Sequence, residues 1–439
     1  MEWWLILMVL ILGLMAVMLT GFPVAFSFLL VVIFATYFIM GGVRGVDQMV
    51  LSIVDTLTKF SMTPIPFFVM MGEVLYQTGL ASRTLDVVSK WTGAIPGRLS
   101  VVTLMAGGLF AALSGSTVAN TAMFASLMVP EMTKRGYSAE MTVGPIMGSG
   151  ALAMVIPPSA LAVILGSLAE VSIGGLLIAA LLPGFLLLVL YLAYVITRCA
   201  INPRLAPKYE IEHAATRDKL LAVVRDLLPL GLIILMVLGL IFLGVATPTE
   251  AAALGALTSF VLAAAFRVLT WKAFKKTMIG SLKVSVMILA IIGGSGAFSQ
   301  ILAFSGASRE LVELVTNAQL DPMVILFIML GIVVVMGCFM EQVSIMMITI
   351  PVFMPIVAVF NFDPIWFAVL VLICLEIGQL SPPVGLALFV MKGAAPKGIT
   401  MGQIYRGALP YVALDIVAVV LIVIFPAVAL WLPGYIRAG

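Results

Sequence analysis

MVIPPSALAVI, residues 154–164, and LSPPVGLALFV, residues 380–390, each set two adjacent prolines inside an apolar run. A proline has no amide hydrogen, and its ring clashes with the carbonyl four residues back. Adjacent prolines therefore break a helix and leave upstream carbonyls without helical partners. The residue before the first proline is pushed out of the α region. A single break of this kind reads as a kink. Here it occurs twice, at Pro157-Pro158 and Pro382-Pro383, 225 residues apart. Pro23 and Pro248, and Pro130 and Pro355, keep the same spacing. A fixed period is the mark of a duplicated unit. In an apolar chain, matching broken helices in two halves point to a secondary transporter with its site at the breaks.

The rest of the chain fits a membrane protein. Its 439 residues are 63% hydrophobic and only 10% charged, with a mean hydropathy of +1.24. Soluble domains carry about 25% charged residues. The net charge of +3 is too small and scattered for a nucleic-acid partner. Cys199, Cys338 and Cys374 have no metal-ligand spacing and read as small apolar residues, and the lone His213 lies in a polar stretch. Met1-Glu2-Trp3-Trp4 lacks a basic start and a cleavage site, so the first apolar run is expected to be a retained span. No nucleotide-binding loop, HExxH or Ser/His/Asp set is present, so no enzyme activity is expected and ATP-driven work is unsupported.

Apolar runs of spanning length cover 3–20, 24–40, 62–80, 138–170 and 174–197 in the first half. The second half repeats them at 227–246, 250–269, 286–305, 364–392 and 408–432. Between them lie 98–134 and 322–360, each interrupted near its middle, and the short amphipathic stretches 83–95 and 308–318. If 98–134 and 322–360 are re-entrant hairpins, each half crosses five times, and an odd number inverts the second half relative to the first. Lys and Arg then divide 18 to 3 between the two sides, with Lys59 and Lys283 set aside near span starts. The crowded side is cytoplasmic by the positive-inside rule. The expected fold is thus an all-α integral membrane protein of two inverted-topology repeats, 1–214 and 227–439. A cytoplasmic linker, 198–226, joins them, and both termini are periplasmic.

The chemistry concentrates at the interruptions. FAALSGSTVANTAMF, 110–124, has Ser114, Gly115, Ser116 and Thr117 at mid-membrane, followed by Asn120 and Thr121. Irregular backbone at that depth is tolerated where it lines a cavity or is buried in protein. Carbonyls and hydroxyls suit an alkali cation, although small residues also serve close helix packing. The corresponding second-half residues are Phe339, Met340 and Glu341, with Gly337 before and Ser344 after. The two sites need not be equivalent. Half-helix N-termini at the breaks would favour an anion. Glu73, inside the 62–80 span, is either a proton or cation ligand or a polar partner within the bundle. Asp55, Glu376 and Asp415 also fall in or near spans, and Glu250, after Thr247-Pro248-Thr249, suits a helix N-terminus.

IPFFVMMGE (65–73), FAALSGSTVANTA (110–122), MVPEMTKRGYS (128–138), IPPSALAVI (156–164), ATPTEAAALGA (246–256), ITIPVFMPIV (348–357) and SPPVGLALFV (381–390) together carry a resemblance over essentially the whole chain. The chain resembles the large membrane (M) subunit of tripartite ATP-independent periplasmic transporters. The resemblance implies an elevator-type, sodium-coupled symporter of the ion-transporter superfamily, with no cofactor besides Na+ as coupling ion. It implies a periplasmic substrate-binding protein (P) and a small four-span membrane subunit (Q) as partners. It also implies an organic-acid substrate, such as a C4-dicarboxylate or sialic acid, and a place in the bacterial inner membrane. A stand-alone sodium/anion symporter of the same superfamily is the alternative.

Carried onto this sequence, one cation site falls at Ser114, Gly115, Ser116, Asn120, Val155, Ile156, Pro157 and Ser159. The other falls at Gly337, Phe339, Glu341, Gly378, Leu380, Ser381 and Pro382. Substrate contacts fall at Ser116, Thr117, Pro158, Ser159, Ser344 and Pro383. The family usually has Thr before the second Pro-Pro and Asp near the second tip, where this chain has Ser381 and Glu341. The moving unit is expected to be 98–170 with 322–392, with 83–95 and 308–318 as hinged arms.

Overall fold

The computed structural model describes residues 3–80, 82–207, 215–395 and 398–437. The side chains of Leu19, Val24, Ser82, Leu113, Ser114 and residues 435–437 lie outside that description, as do Lys208, His213 and Lys397 entirely. The described residues are helical throughout their regular structure, with no strand among them. In the first half the helices are α1 Trp3–Leu19, α2 Val24–Ile39, α3 Val43–Thr58, α4 Pro64–Gln77, α5 Ser82–Trp91, α6 Arg98–Ser114, α7 Thr117–Lys134, α8 Ala139–Val155, α9 Ala160–Leu168, α10 Ile173–Ala179 and α11 Leu181–Ile201. The second half follows with α12 Thr216–Ala222, α13 Leu228–Phe242, α14 Pro248–Ala265, α15 Trp271–Phe304, α16 Ala307–Asn317, α17 Pro322–Gly337, α18 Gln342–Val359, α19 Pro364–Leu380, α20 Leu386–Ala394, α21 Met401–Ile424 and α22 Ala427–Arg437.

Helix bounds recur at the proline spacing. α7 and α18, and α8 and α19, start and end 225 residues apart. The Pro157-Pro158 and Pro382-Pro383 peptide bonds are both cis. Six helical segments among the described residues are long and apolar enough to cross a membrane, or seven if the bent pair α8 and α9 forms one span.

The sequence reading needs four adjustments. Residues 43–58, unassigned above, form α3, an amphipathic helix packed along α15. α15 begins at Trp271 rather than near 286, and runs 34 residues without a break. Residues 216–226 of the 198–226 linker are helical: α12 passes through a π-turn, Val223–Leu227, into α13. The 174–197 and 408–432 runs are each split into two helices, α10 with α11 and α21 with α22.

α8 is the hub of one group of helices, packing on α6, α7, α11, α19 and α21. A stripe of small residues makes this possible. A Cβ on Gly144 would fall 2.6 Å from the Gly407 carbonyl, and one on Gly148 would fall 2.4 Å from the Tyr411 ring. A second group forms around α15, which packs on α2, α3 and α4, while α14 packs on α4 and α13. α4 and α15 are also the places where the groups touch, through α6, α9 and α18. The amphipathic α5 and α16 precede the two hairpins. Gly79 and Gly306, just ahead of them, take left-handed φ values of +69° and +72°, which favour glycine. α5 is tied to the α12–α13 segment by Arg83 Nη1 to Asp226 Oδ1 at 3.0 Å and by Trp91 Nε1 to the Lys219 carbonyl at 3.2 Å.

Candidate functional site

α6 ends because Gly115 turns left-handed, with φ +57°. A Cβ there would sit 3.1 Å from the Ala160 amide nitrogen, so the tip rests on the start of α9. Ser116 is extended and its Oγ accepts from the Ala119 amide at 3.3 Å. Ser159 does the same for Ala162 at the start of α9, also at 3.3 Å. Both hydroxyls, expected as ligands, are thus N-caps. The side chain of Ser114 lies outside the described residues.

Asn120 is fully buried, and its Nδ2 donates to the carbonyls of Gly107, at 3.1 Å, and Ser149, at 2.7 Å. One amide therefore stitches α6, α7 and α8 together. Its Oδ1, with the hydroxyls of Thr117 and Thr121, is buried without a hydrogen-bond partner. Gly150 makes room for this face: a Cβ there would lie 2.3 Å from Thr121 Oγ1 and 3.2 Å from the Thr117 carbonyl. Stranding a buried polar group costs about 1–3 kcal/mol. Three such oxygens on one face suit a hard cation in chemical type. Thr121 was noted in the motif but left out of the first cation site, although Thr117, Asn120 and Thr121 share a helical face by their spacing. α8 ends at Val155, Ile156 caps it, and α9 leaves at 42° to its axis beyond the buried Pro157 and Pro158.

The second tip is built differently. Gly337 ends α17 against Gly378 of α19, and a Cβ on Gly378 would fall 2.5 Å from Gly337 Cα. Two expected site residues are therefore brought together, as a contact between backbones. The Gly385 amide donates to the Cys338 carbonyl at 2.9 Å, joining the tip to the chain after the break. Gly385 has φ +52°, and a Cβ there would lie 2.6 Å from the Gln379 carbonyl, so only glycine fits. Leu380 is buried at the end of α19, and the Ser381 amide donates to the Gly378 carbonyl at 3.2 Å. That bond occupies a carbonyl which the proline break alone would have freed.

Glu341 caps α18, its Oε2 accepting from the Val343 amide at 3.1 Å. Ser344 is buried in the same turn. The Phe339 side chain is 60% exposed, so it points away from the other expected residues of the second tip. Pro382 and Pro383 are exposed, unlike their first-half counterparts, and the Pro383 carbonyl accepts from Tyr405 Oη at 2.8 Å.

Both tips open on one cavity of about 270 Å³. Gly115, Ser116 and Thr117 line it from the first tip, Glu341, Gln342 and Val343 from the second, and Ala160 and Leu161 from α9. Opposite stand Gly72, Glu73 and Tyr76 of α4 and Val284, Met287 and Ile288 of α15. Glu73 Oε1 accepts from Gln77 Nε2 at 2.7 Å, and the bare Gly280 of α15 leaves it space. Of the expected substrate contacts, Ser116 and Thr117 line this cavity, whereas Pro158, Ser159, Ser344 and Pro383 do not. Glu250 forms a capping box with Thr247, as its sequence context suggested.

A second polar group lies away from the cavity. Glu376 and Gln379 of α19 are buried, and neither their carboxylate nor their amide has a hydrogen-bond partner. Asp415 of α21 accepts from the Tyr191 hydroxyl of α11. Tyr191 carried no sequence signal, because its partner is 224 positions away.

A family model described as "Tripartite ATP-independent periplasmic transporter, DctM component" matches residues 11–428. The C4-dicarboxylate TRAP transporter large permease protein DctM of Pseudomonas aeruginosa is 31% identical over 395 residues, covering 89% of this chain and 90% of its own. The ectoine/5-hydroxyectoine TRAP transporter large permease protein UehC of Ruegeria pomeroyi is 27% identical, over 96% of this chain and 97% of its own. Among solved structures, the Alcanivorax borkumensis YdaH transporter shares the fold, with a TM-score of 0.63 at 14% identity over 91% of this chain and 90% of its own.

Proposed function

The chain belongs to the DctM component family of tripartite ATP-independent periplasmic transporters, and on that premise we propose that it imports an organic acid by sodium-coupled secondary transport. The solute would be a C4-dicarboxylate, sialic acid or a related carboxylate, handed over by a periplasmic binding protein. A small four-span subunit would brace the chain in the bacterial inner membrane. The family consists of transporter permeases, not enzymes.

One observation carries the reading: the cavity is walled on one side by both hairpin tips and on the other by α4 and α15. A site between two bodies can open to either side as one body shifts, which is the logic of alternating access. The moving body in this reading is the α8-centred group with its hairpins, carried on α5 and α16. The α15-centred group is the scaffold. Inverted repeats with five crossings each, a cytoplasmic 198–226 linker and periplasmic termini complete the proposal. The three unpartnered oxygens of Thr117, Asn120 and Thr121 support a sodium ion at the first tip. The backbone around Gly337 and Gly378, with the Glu341 carboxylate, supports another at the second.

Proteoliposomes holding the chain and the small subunit, supplied with loaded binding protein, test the coupling. Uptake should collapse when choline replaces sodium. Uptake that ignores that exchange and follows a proton gradient would refute sodium coupling. Cysteines at positions 2 and 437 should react with an impermeant label in spheroplasts and one at 212 should not. The reverse pattern refutes the topology.

A further inference from the structure

The turn from α14 to α15 gathers basic side chains that nothing near them in the chain neutralises. Arg267, Lys272, Lys275 and Lys276 fall within ten residues, and no Asp or Glu occurs from Ala251 to Arg309. All four are exposed, and none has a side-chain hydrogen bond or ion pair among the described residues. Several other basic residues of the same expected side are engaged. Arg83 pairs with Asp226, and Arg135 with Glu131. Arg98 donates to the Thr92 and Ser89 carbonyls, and Lys392 to the Ile399 carbonyl.

Helix length sets the depth of this turn. α14 has 18 residues and rises about 27 Å, close to the thickness of a hydrocarbon core. The turn after it, residues 266–270, therefore comes out at headgroup level. α15 rises about 50 Å, and its uncharged part, Val284 to Phe304, spans the core without help. Its first turns are thus left on the headgroup side. Trp271 is 78% exposed and stacks on Phe274, with ring centroids 5.4 Å apart. A large ring left open beside lysines suits the membrane interface, where one part of it is apolar and another wet. Ala273 and Thr277, on the other face of α15, are buried against the bundle, so the basic face turns outward.

The turn also adjoins the moving body of the proposed function. Phe266 caps α14, and the Arg83 guanidinium lies over its ring at 4.7 Å while also pairing with Asp226. Arg83 belongs to α5, the first arm. A group bound at the turn is therefore one side chain away from that arm.

We propose that the α14–α15 turn binds an anionic phospholipid. Its phosphate is received by Arg267, Lys272, Lys275 and Lys276, and the apolar region below the phosphate packs on Trp271. Guanidinium and ammonium groups hold phosphate through charge-assisted hydrogen bonds. The site is independent of the solute that the chain carries.

The test uses the chain with its small subunit in vesicles of phosphatidylcholine and phosphatidylglycerol in equal parts. The acyl chains of one lipid or of the other carry bromine, which quenches tryptophan on contact. The Trp271 signal is the wild-type fluorescence less that of Trp271→Phe. Brominated phosphatidylglycerol should quench it with an apparent affinity about ten-fold or more above that of brominated phosphatidylcholine. Lys272→Gln, Lys275→Gln and Lys276→Gln should each lower that preference, by up to about five-fold, and the triple variant should abolish it. Insertion of the triple variant is read in the same traces, as quenching by brominated phosphatidylcholine. High salt should shrink the wild-type preference, an arm that needs no substitution. Lys134→Gln, Arg204→Gln and Arg406→Gln together remove as many charges from the same expected side and should leave the preference unchanged. An equal loss in that control would show a field spread over the leaflet rather than a site, and would overturn the proposal. Equal quenching by the two lipids, quenching by neither, or a preference that ignores salt would overturn it too.

Discussion

α7 and α18 have the same length and the same place in their halves, yet their first turns are chemically unlike. Thr117, Asn120 and Thr121 of α7 correspond to Gln342, Ile345 and Met346 of α18. The first hairpin is held by one side-chain amide reaching two carbonyls, with three oxygens left over. The second is held by glycine backbones in contact at Gly337 and Gly378, where the first half has Ala112 and Ala153. The first Pro-Pro break is buried and the second is exposed. Helices whose bounds recur 225 residues apart can therefore end in chemically different tips. The first tip relies on side chains, and the second on main chain with one carboxylate.

The largest test of this contrast is at the backbone contact. Gly378→Ala should destabilise by about 3 kcal/mol, the upper end for overpacking, because the new Cβ meets main chain that cannot step aside. Its counterpart Ala153→Gly should cost only about 0.5–1 kcal/mol. Thermal unfolding of the purified complex compares them, and similar losses would erase the distinction. Next, Asn120→Ala removes a second hydrogen bond from two carbonyls that stay within their helices, so it should cost about 0.5–1.5 kcal/mol for each bond and should abolish stabilisation by sodium. Ile345→Val at the matching place should cost about 0.5–1.5 kcal/mol and leave the sodium response unchanged.

A smaller effect carries more information through its sign. Thr121→Val removes a buried hydroxyl that has no partner, so without sodium it should stabilise, by about 1 kcal/mol. In sodium transport assays the same change should raise the apparent sodium constant roughly five-fold. A loss of stability in both conditions would mean the hydroxyl serves the fold alone. The smallest change is Ser381→Thr, at an exposed-side cap whose amide already bonds Gly378. It should stay within about 0.5 kcal/mol and leave transport close to wild type.

The sequence was most legible where one residue type leaves one conformational choice. The paired prolines located both breaks and, through their spacing, predicted helix bounds that recur at the same interval. Legibility failed where long-range packing decides. α15 continues through the region where the first half breaks between α3 and α4, and no local signal distinguishes the two. Ser116, Ser159 and Glu341 were read as ligands from their oxygens, and the structure also uses each as a helix cap. Phe339 was assigned by position, although its side chain turns outward. Thr121 was visible in the motif and a helical-face argument would have joined it to Asn120, whereas Tyr191 could be found only in three dimensions.

The stripe on α8 has a consequence for how the chain can vary over generations. A side chain at Gly144, Gly148 or Gly150 would collide with Gly407, Tyr411 or Thr121, so these positions have one permitted letter. Gly231, Gly239, Gly331 and Gly393 have no neighbouring atom within 4 Å of an added Cβ. Saturation mutagenesis should therefore draw a narrow intolerant line along α8 through an otherwise permissive set of glycines.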